Sequence, residues 1–295
     1  MAALALLALA SLSGCSSDGG SDASVAAPDD GTYVSIGDSY AQGYQPTVGG
    51  TTPDYRKGYA YLLPALAKPK GYALKTVNFG CGGATVGSLT EQDGCKAGAR
   101  SPGGPTYDDD QLDAALGYLE DHPGQVQVVT ISIGGNDVTG CAQASDAITC
   151  VTGAVKDIEA GLRTILPKVR KAAGPDAVIV GLTYPDVILG GYLASDGAGK
   201  QLAELSVVAF RQFINPMLKE AYESVDGVFV DVTEATGAYT PLTETTDLAP
   251  YGTIPKAVAE VCRLTWFCEV QDIHPRDAGY AEIARLIAAA LPDRG

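Results

Sequence analysis

The sequence predicts an α/β fold, a three-layer α/β/α sandwich built on a five-stranded parallel sheet, and three observations carry that prediction. Five short β-branched runs stand at residues 32–36, 74–79, 127–133, 177–182 and 228–232. Most are nearly continuous in apolar residues, as strands covered on both faces require. The intervals between them leave room for helices, and alternating strand and helix implies a parallel sheet with right-handed crossovers. No internal repeat and no break in composition follows residue 31, so residues 31–295 read as one domain.

The elements follow in order. Helical patterns are expected at 58–67, 107–121, 151–172 and 200–224. A last helix at 277–291 carries Tyr280, Ile283, Leu286 and Ile287 on one face, and Pro292 stops it. Residues 233–270 lack strong periodicity and contain Pro241, Pro250 and Pro255. Such a long excursion reads as a wall or lid of a pocket, or as surface decoration.

Residues 1–14 are almost wholly apolar but too short to span the ~30 Å hydrocarbon core of a bilayer, which needs about 20. They match the hydrophobic part of a signal peptide. Leu12-Ser13-Gly14-Cys15 resembles a bacterial lipobox, which makes Cys15 the expected lipid-modified first residue and membrane anchor. No Lys or Arg precedes the apolar run, a departure that a start upstream of Met1 accounts for. The competing reading is an ordinary cleavable signal ending near Ala26 or Ala27. Residues 16–30 are polar and read as a flexible tether.

The chain carries 20 Lys+Arg against 35 Asp+Glu, a net charge of −15, so a nucleic-acid partner would meet repulsion rather than counterion release. It has two histidines, His122 and His274, too few for a zinc site built on several His ligands. No metal and no organic cofactor is expected. Beyond Cys15, six cysteines fall into close pairs, and the expected disulfides are Cys81–Cys95, Cys141–Cys150 and Cys262–Cys268. Each would clamp one loop for roughly 2–4 kcal/mol, which suits an exported chain.

In an open parallel sheet, ligands bind beyond the carboxyl ends of the strands. The first strand ends in Gly37-Asp38-Ser39-Tyr40, the second in Asn78-Phe79-Gly80-Cys81-Gly82-Gly83, and the third in Gly134-Gly135-Asn136-Asp137. Near the end of the chain, Asp272-Ile273-His274-Pro275 supplies an imidazole; His122 precedes the third strand and falls at the opposite edge. These parts suit acyl transfer. A serine hydroxyl becomes nucleophilic when an imidazole takes its proton, and the resulting oxyanion needs preorganised donors. The N–H groups of Ser39 and Gly83 and the side-chain amide of Asn136 are the candidates. Asp38 and Asp137 read as braces for their loops. Tyr184-Pro185-Asp186 reads as pocket lining or a plain turn, and Trp266 with Phe267 as an acyl-side wall or simple packing. The G-x-S-x-G signature of the α/β-hydrolases is absent.

Gly37-Asp38-Ser39, Gly83, Gly135-Asn136-Asp137 and His274 together resemble the four blocks of the GDSL/SGNH hydrolase family, across residues 31–291. The three local cysteine pairs are similar to those of its secreted actinobacterial lipase/esterase branch. The resemblance implies a flavodoxin-like SGNH fold, with Ser39 as nucleophile and His274 as general base and then acid. Ser39, Gly83 and Asn136 would form the oxyanion hole. In the family's usual final block an aspartate stands three residues before the histidine, but here that residue is Gln271 and Asp272 is only two residues away. The reading therefore favours a Ser39–His274 dyad, with the main-chain carbonyl of Gln271 or Asp272 on Nδ1, over a triad with Asp272.

The expected activity is an exported, envelope-attached or secreted serine hydrolase of carboxylic esters, an esterase or lipase and on the resemblance a phospholipase. Its partners would be an ester or lipid substrate and, through Cys15, the membrane; a monomer is expected. The alternatives are an O-deacetylase of cell-wall or other carbohydrate and, from another class, a catalytically silent lipoprotein binding glycan or lipid. Ser39, His274 and Asn136 are all present, which counts against the silent reading.

Overall fold

The computed structural model describes residues 31–194 and 197–294. The leader, Cys15 and the tether lie outside the described residues. Five parallel strands, β1 (Gly31–Gly37), β2 (Leu74–Asn78), β3 (Val126–Ser132), β4 (Val178–Leu182) and β5 (Val228–Val230), form one sheet in the order β2-β1-β3-β4-β5. Among the described residues eleven α-helical segments accompany them: α1 (Ser39–Gln42), α2 (Tyr59–Ala67), α3 (Gln111–Asp121), α4 (Gly135–Thr139), α5 (Ala147–Ala173), α6 (Gly197–Ala209), α7 (Asn215–Glu223), α8 (Val232–Ala235), α9 (Lys256–Leu264), α10 (Phe267–Val270) and α11 (Asp277–Ala290).

Alternation along each strand divides the core in two. Val34, Ile36, Val129, Ile131 and Ile179 pack on one face with α3, α5 and α7. Tyr33, Val128, Val180 and Leu182 pack on the other with α2 and α11. Both core layers are built from side chains within residues 31–294.

The expected helix boundaries shift where a carboxylate caps the first turn. Asp110 accepts from Asp113 N–H, so α3 begins at Gln111 rather than near 107. Asp146 accepts from Thr149 N–H, so α5 begins before the residue-151 start read from its apolar pattern. The helix expected at 200–224 is interrupted: a π-turn at Phe210–Ile214 joins α6 to α7. Residues 233–270 are more regular than their prolines suggest. They hold an antiparallel hairpin of β6 (Thr245–Leu248) and β7 (Gly252–Pro255), followed by α9 and α10. Disulfides join Cys81–Cys95, Cys141–Cys150 and Cys262–Cys268. Among the described residues no helix is long and apolar enough to cross a membrane.

In this strand order the chain turns one way from β1 to β2 and the other way to β3, which opens a crevice at the carboxyl ends of β1 and β3. Gly37 permits the close approach there. Its φ is +143°, and a Cβ on it would stand 2.0 Å from the Ser132 carbonyl oxygen of β3.

Candidate active site

Ser39 opens α1 directly after β1 and is buried at the crevice. Asp38 caps that helix, one carboxylate oxygen accepting from Tyr40 N–H at 2.9 Å and the other from Tyr184 OH at 2.7 Å. Full burial raises the Asp38 carboxyl to about 6, against the opposing hydrogen bonds from Tyr184 and Tyr40 and the charge of His274. Asp38 thus acts as a brace on the serine turn.

His274 arrives from the opposite end of the chain. Its Nε2 stands 2.8 Å from Ser39 Oγ, and its Nδ1 stands 2.7 Å from Asp272 Oδ1. The expectation of a main-chain carbonyl on Nδ1 is corrected here: the partner is the Asp272 carboxylate. The reason is local. Asp272 Oδ1 also accepts from the His274 backbone N–H at 2.9 Å, closing an Asx-type turn that brings the carboxylate beneath its own i+2 imidazole. Gln271 precedes it in the left-handed region, at φ +57°. Burial pushes the Asp272 carboxyl up, but the two hydrogen bonds from His274 and the imidazole charge outweigh it and hold it below the ordinary carboxylate range. A carboxylate on Nδ1 fixes the tautomer with hydrogen there, which leaves Nε2 free to accept from Ser39.

Two further contacts position this pair. Tyr40 OH donates to the Ile273 carbonyl at 2.6 Å, tying the neighbour of the serine to the neighbour of the histidine. The Tyr44 ring meets the imidazole edge at 4.5 Å between centroids. Neither was legible as a site residue, because a tyrosine beside a serine carries no pattern of its own.

Asn136 lies in the helical turn α4 after β3 and donates from Nδ2 to the Ala84 carbonyl at 2.8 Å. An amide nitrogen has two hydrogens, so this bond orients the group and leaves one for another acceptor. Asp137 accepts from Val86 N–H, a second tie between the same loops, and burial raises its carboxyl. Gly83, adjacent to Ala84, has a φ of +81° and open space where a Cβ would stand. Ser39 and Asn136 both face the cleft described below, whereas Gly83 is not part of its wall. Gln111, also missed in the sequence, is fully buried and donates from Nε2 to the carbonyls of Gly37 and Phe79, both at 2.7 Å. It clamps the ends of β1 and β2 together.

A cleft of about 550 Å³ runs from Ser39 and Asn136 between α5 and the α6–α7 segment. Val138, Val151, Val155, Ile188 and Leu218 give it apolar walls, and Tyr184 and Pro185 line it as well. The reading of residues 233–270 as its wall or lid is corrected: none of them lines the cleft, and of the later chain only Ile273 does. Trp266 instead stacks on Arg276 and donates from Nε1 to Gln45, and Phe267 packs against a separate apolar cluster with Leu189 and Ala257. His122 lies away from the site, its ring stacked on Tyr118 and its Nδ1 at 2.8 Å from the Tyr118 carbonyl. Among the described residues, no group of three or more His, Cys, Asp or Glu side chains is placed to hold a metal ion.

Comparison with known proteins shows the fold and the family. Phospholipase A1 from Streptomyces albidoflavus NA297 is 19% identical, covering 89% of this chain and 100% of that one, with a TM-score of 0.53. The lipase Lip_vut3 from a goat rumen metagenome is 13% identical, covering 90% and 99%, also with a TM-score of 0.53. At such identities the likeness shows the fold. A search of curated proteins returned no match. The model of the GDSL-like lipase/acylhydrolase family matches residues 35–282, from the strand that delivers Ser39 to the helix that follows His274, and the chain belongs to that family.

Proposed function

We propose that the chain is an exported serine hydrolase that cleaves carboxylic esters of apolar acyl chains through an acyl-enzyme on Ser39. The hydrogen-bonded series Ser39 Oγ, His274 Nε2, His274 Nδ1, Asp272 Oδ1, at 2.8 and 2.7 Å, carries the proposal. Ser39 Oγ attacks the ester carbonyl while its proton passes to Nε2, and Asp272 stabilises the imidazolium. The oxyanion is received by the N–H groups of Ser39 and Gly83 and the free amide hydrogen of Asn136, each donor contributing roughly 3 kcal/mol. Collapse expels the alcohol, which takes the proton from Nε2. Water then gives a proton to Nε2 and attacks the acyl-enzyme; collapse breaks the acyl–Oγ bond, Nε2 returns its proton to Ser39 Oγ, and the acid leaves. All these groups come from one chain, which supports a monomer as the working unit.

The apolar cleft walls favour an acyl chain over a sugar, whose hydroxyls would go unpaired there. Three disulfides support an oxidising, extracytoplasmic location. Hydrolysis of p-nitrophenyl esters from acetate to palmitate, beside an acetylated sugar and a phospholipid, tests the reading. Wild type is expected to prefer esters longer than acetate, and Ser39→Ala to lose at least ~10⁴-fold in kcat. Hydrolysis unchanged by Ser39→Ala would overturn catalysis at this site. A preference for acetate and the acetylated sugar would assign a deacetylase instead.

A further inference from the structure

We infer that the rim of the cleft docks onto an uncharged or zwitterionic lipid surface, so that the acyl chain passes from that surface to Ser39 without crossing water; this rests on the ester-hydrolase reading above. Among the described residues six large apolar side chains are exposed: Leu66, Ile148, Leu205, Val208, Phe213 and Val270. Four of them, Ile148, Leu205, Val208 and Phe213, border this one cleft, on the two segments that wall it. Scattered exposed apolar residues need no explanation, but a group gathered at the mouth of a reactive cleft marks a contact surface.

Local structure holds these side chains outward. Ile148, 64% exposed, sits in the loop closed by the Cys141–Cys150 disulfide, at the first turn of α5. Phe213, 57% exposed, sits in the π-turn Phe210–Ile214, while Ile214 beside it is buried in the core. The extra residue of a π-turn breaks the helical register, so Phe213 faces out while Ile214 packs inward. Each wall therefore spends a constrained backbone feature on presenting an apolar group to solvent.

The occupant follows from continuity and charge. The rim residues line the same cleft as Val151, Val155, Ile188 and Ser39. A second copy of the chain seated on the rim would close the mouth over the serine. An anionic surface would meet a chain of net charge −15, and among the described residues Lys156 is the one cation on the cleft wall, whereas recruitment to anionic lipid takes clusters of basic residues. A surface without net charge asks only for apolar contact.

The test uses the chain from Ser16 onward, exported behind a cleavable leader so that Cys15 is absent, with Ser39→Ala to prevent turnover. Partition onto phosphatidylcholine vesicles is measured by co-sedimentation, with thermal unfolding as the check on folding. The Ser39→Ala chain is expected to bind and to keep binding in 0.5 M salt, a strength at which charge contacts are screened within about a Debye length of 4 Å. Ile148→Ser/Phe213→Ser is expected to lower the partition coefficient at least ~10-fold, as is Leu205→Ser/Val208→Ser on the second wall. Leu66→Ser, on α2 across the sheet, is expected to leave it unchanged. Absence of binding by the Ser39→Ala chain, or equal binding by the rim pairs and Leu66→Ser, would overturn the inference. So would stronger, salt-sensitive binding to phosphatidylglycerol vesicles, or self-association removed by the rim pairs. Because no turnover is read, these outcomes are separate from failure of the hydrolase reading, which p-nitrophenyl ester hydrolysis decides.

Discussion

At the scale of single residues, the site turns on one carboxylate whose position the sequence pattern pointed away from. Gln271 fills the place where the family's aspartate usually stands, which made a backbone carbonyl the natural orienter of His274. The two-residue offset works because Asp272 accepts from both the backbone N–H and Nδ1 of His274. Aspartate side chains commonly bond the N–H two residues on, and Asp38 does the same to Tyr40. That habit was the available signal, and a pattern based on family spacing passes over it. If the carboxylate orients the imidazole, Asp272→Asn places an amide against Nδ1 and disfavours the tautomer that accepts from Ser39. The expected loss is about 10⁴-fold in kcat with the fold intact, read from steady-state hydrolysis of a p-nitrophenyl ester with a circular dichroism control. A loss under ~10-fold would return the role to a carbonyl. The other missed residues, Tyr40, Tyr44 and Gln111, act through long-range contacts that have no local spacing to read.

Among the elements, the strands were legible because burial on both faces makes each an apolar run, and all five lie within two residues of the predicted positions. Helices were legible as stripes and less so at their ends, where the capping carboxylates Asp110 and Asp146 decide. The π-turn in the α6–α7 segment and the 245–255 hairpin escaped for a common reason. Both depend on tertiary packing that overrides a weak local pattern. The serine turn was legible as Gly-Asp-Ser, and the fold supplies its physical reason. At Gly37 the β1 backbone lies so close to β3 that a methyl group would meet the Ser132 carbonyl oxygen at 2.0 Å, in a φ region that L-residues avoid. Gly37→Ala must therefore push β1 from β3 and move Ser39, which is two residues away. The expected cost is about 3 kcal/mol or more, combining overpacking with backbone strain. It should appear as a lower urea midpoint at unchanged m-value, together with reduced kcat in the protein that remains folded. A midpoint within error of wild type would mean that the strands separate freely, and the rigid-crevice account would fail.

For the whole molecule, two fully buried carboxyls outside the proton-transfer series contribute to how stability responds to pH. Asp38 is one. Asp186, on the loop after β4, is fully buried, accepts from Ser206 Oγ at 2.8 Å through Oδ2, and has no hydrogen-bond partner on Oδ1 among the described residues. Burial raises its carboxyl to about 7, which the Ser206 hydroxyl and the backbone N–H groups of Ile188 and Leu189 offset only in part. The sign of the effect follows from proton counts. Below the ordinary value of 3.8 the folded and unfolded chains both hold this proton. Between 3.8 and about 7 the folded chain holds it and the unfolded chain has lost it, so stability falls as pH rises. Above that range both are ionised, and the dependence flattens. At roughly 1.4 kcal/mol per pH unit, the full effect is on the order of 4 kcal/mol. Asp186→Asn removes it. The amide has its own fixed packing cost, and Asp38 titrates in both proteins, so the informative quantity is the variant-minus-wild-type difference in unfolding free energy at two pH values. That difference should move in favour of the variant by a few kcal/mol between pH 4 and pH 8, measured by urea unfolding. A difference that stays constant across this range would mean that Asp186 is already ionised in the folded protein, with Ser206 and the N–H groups of Ile188 and Leu189 outweighing its burial.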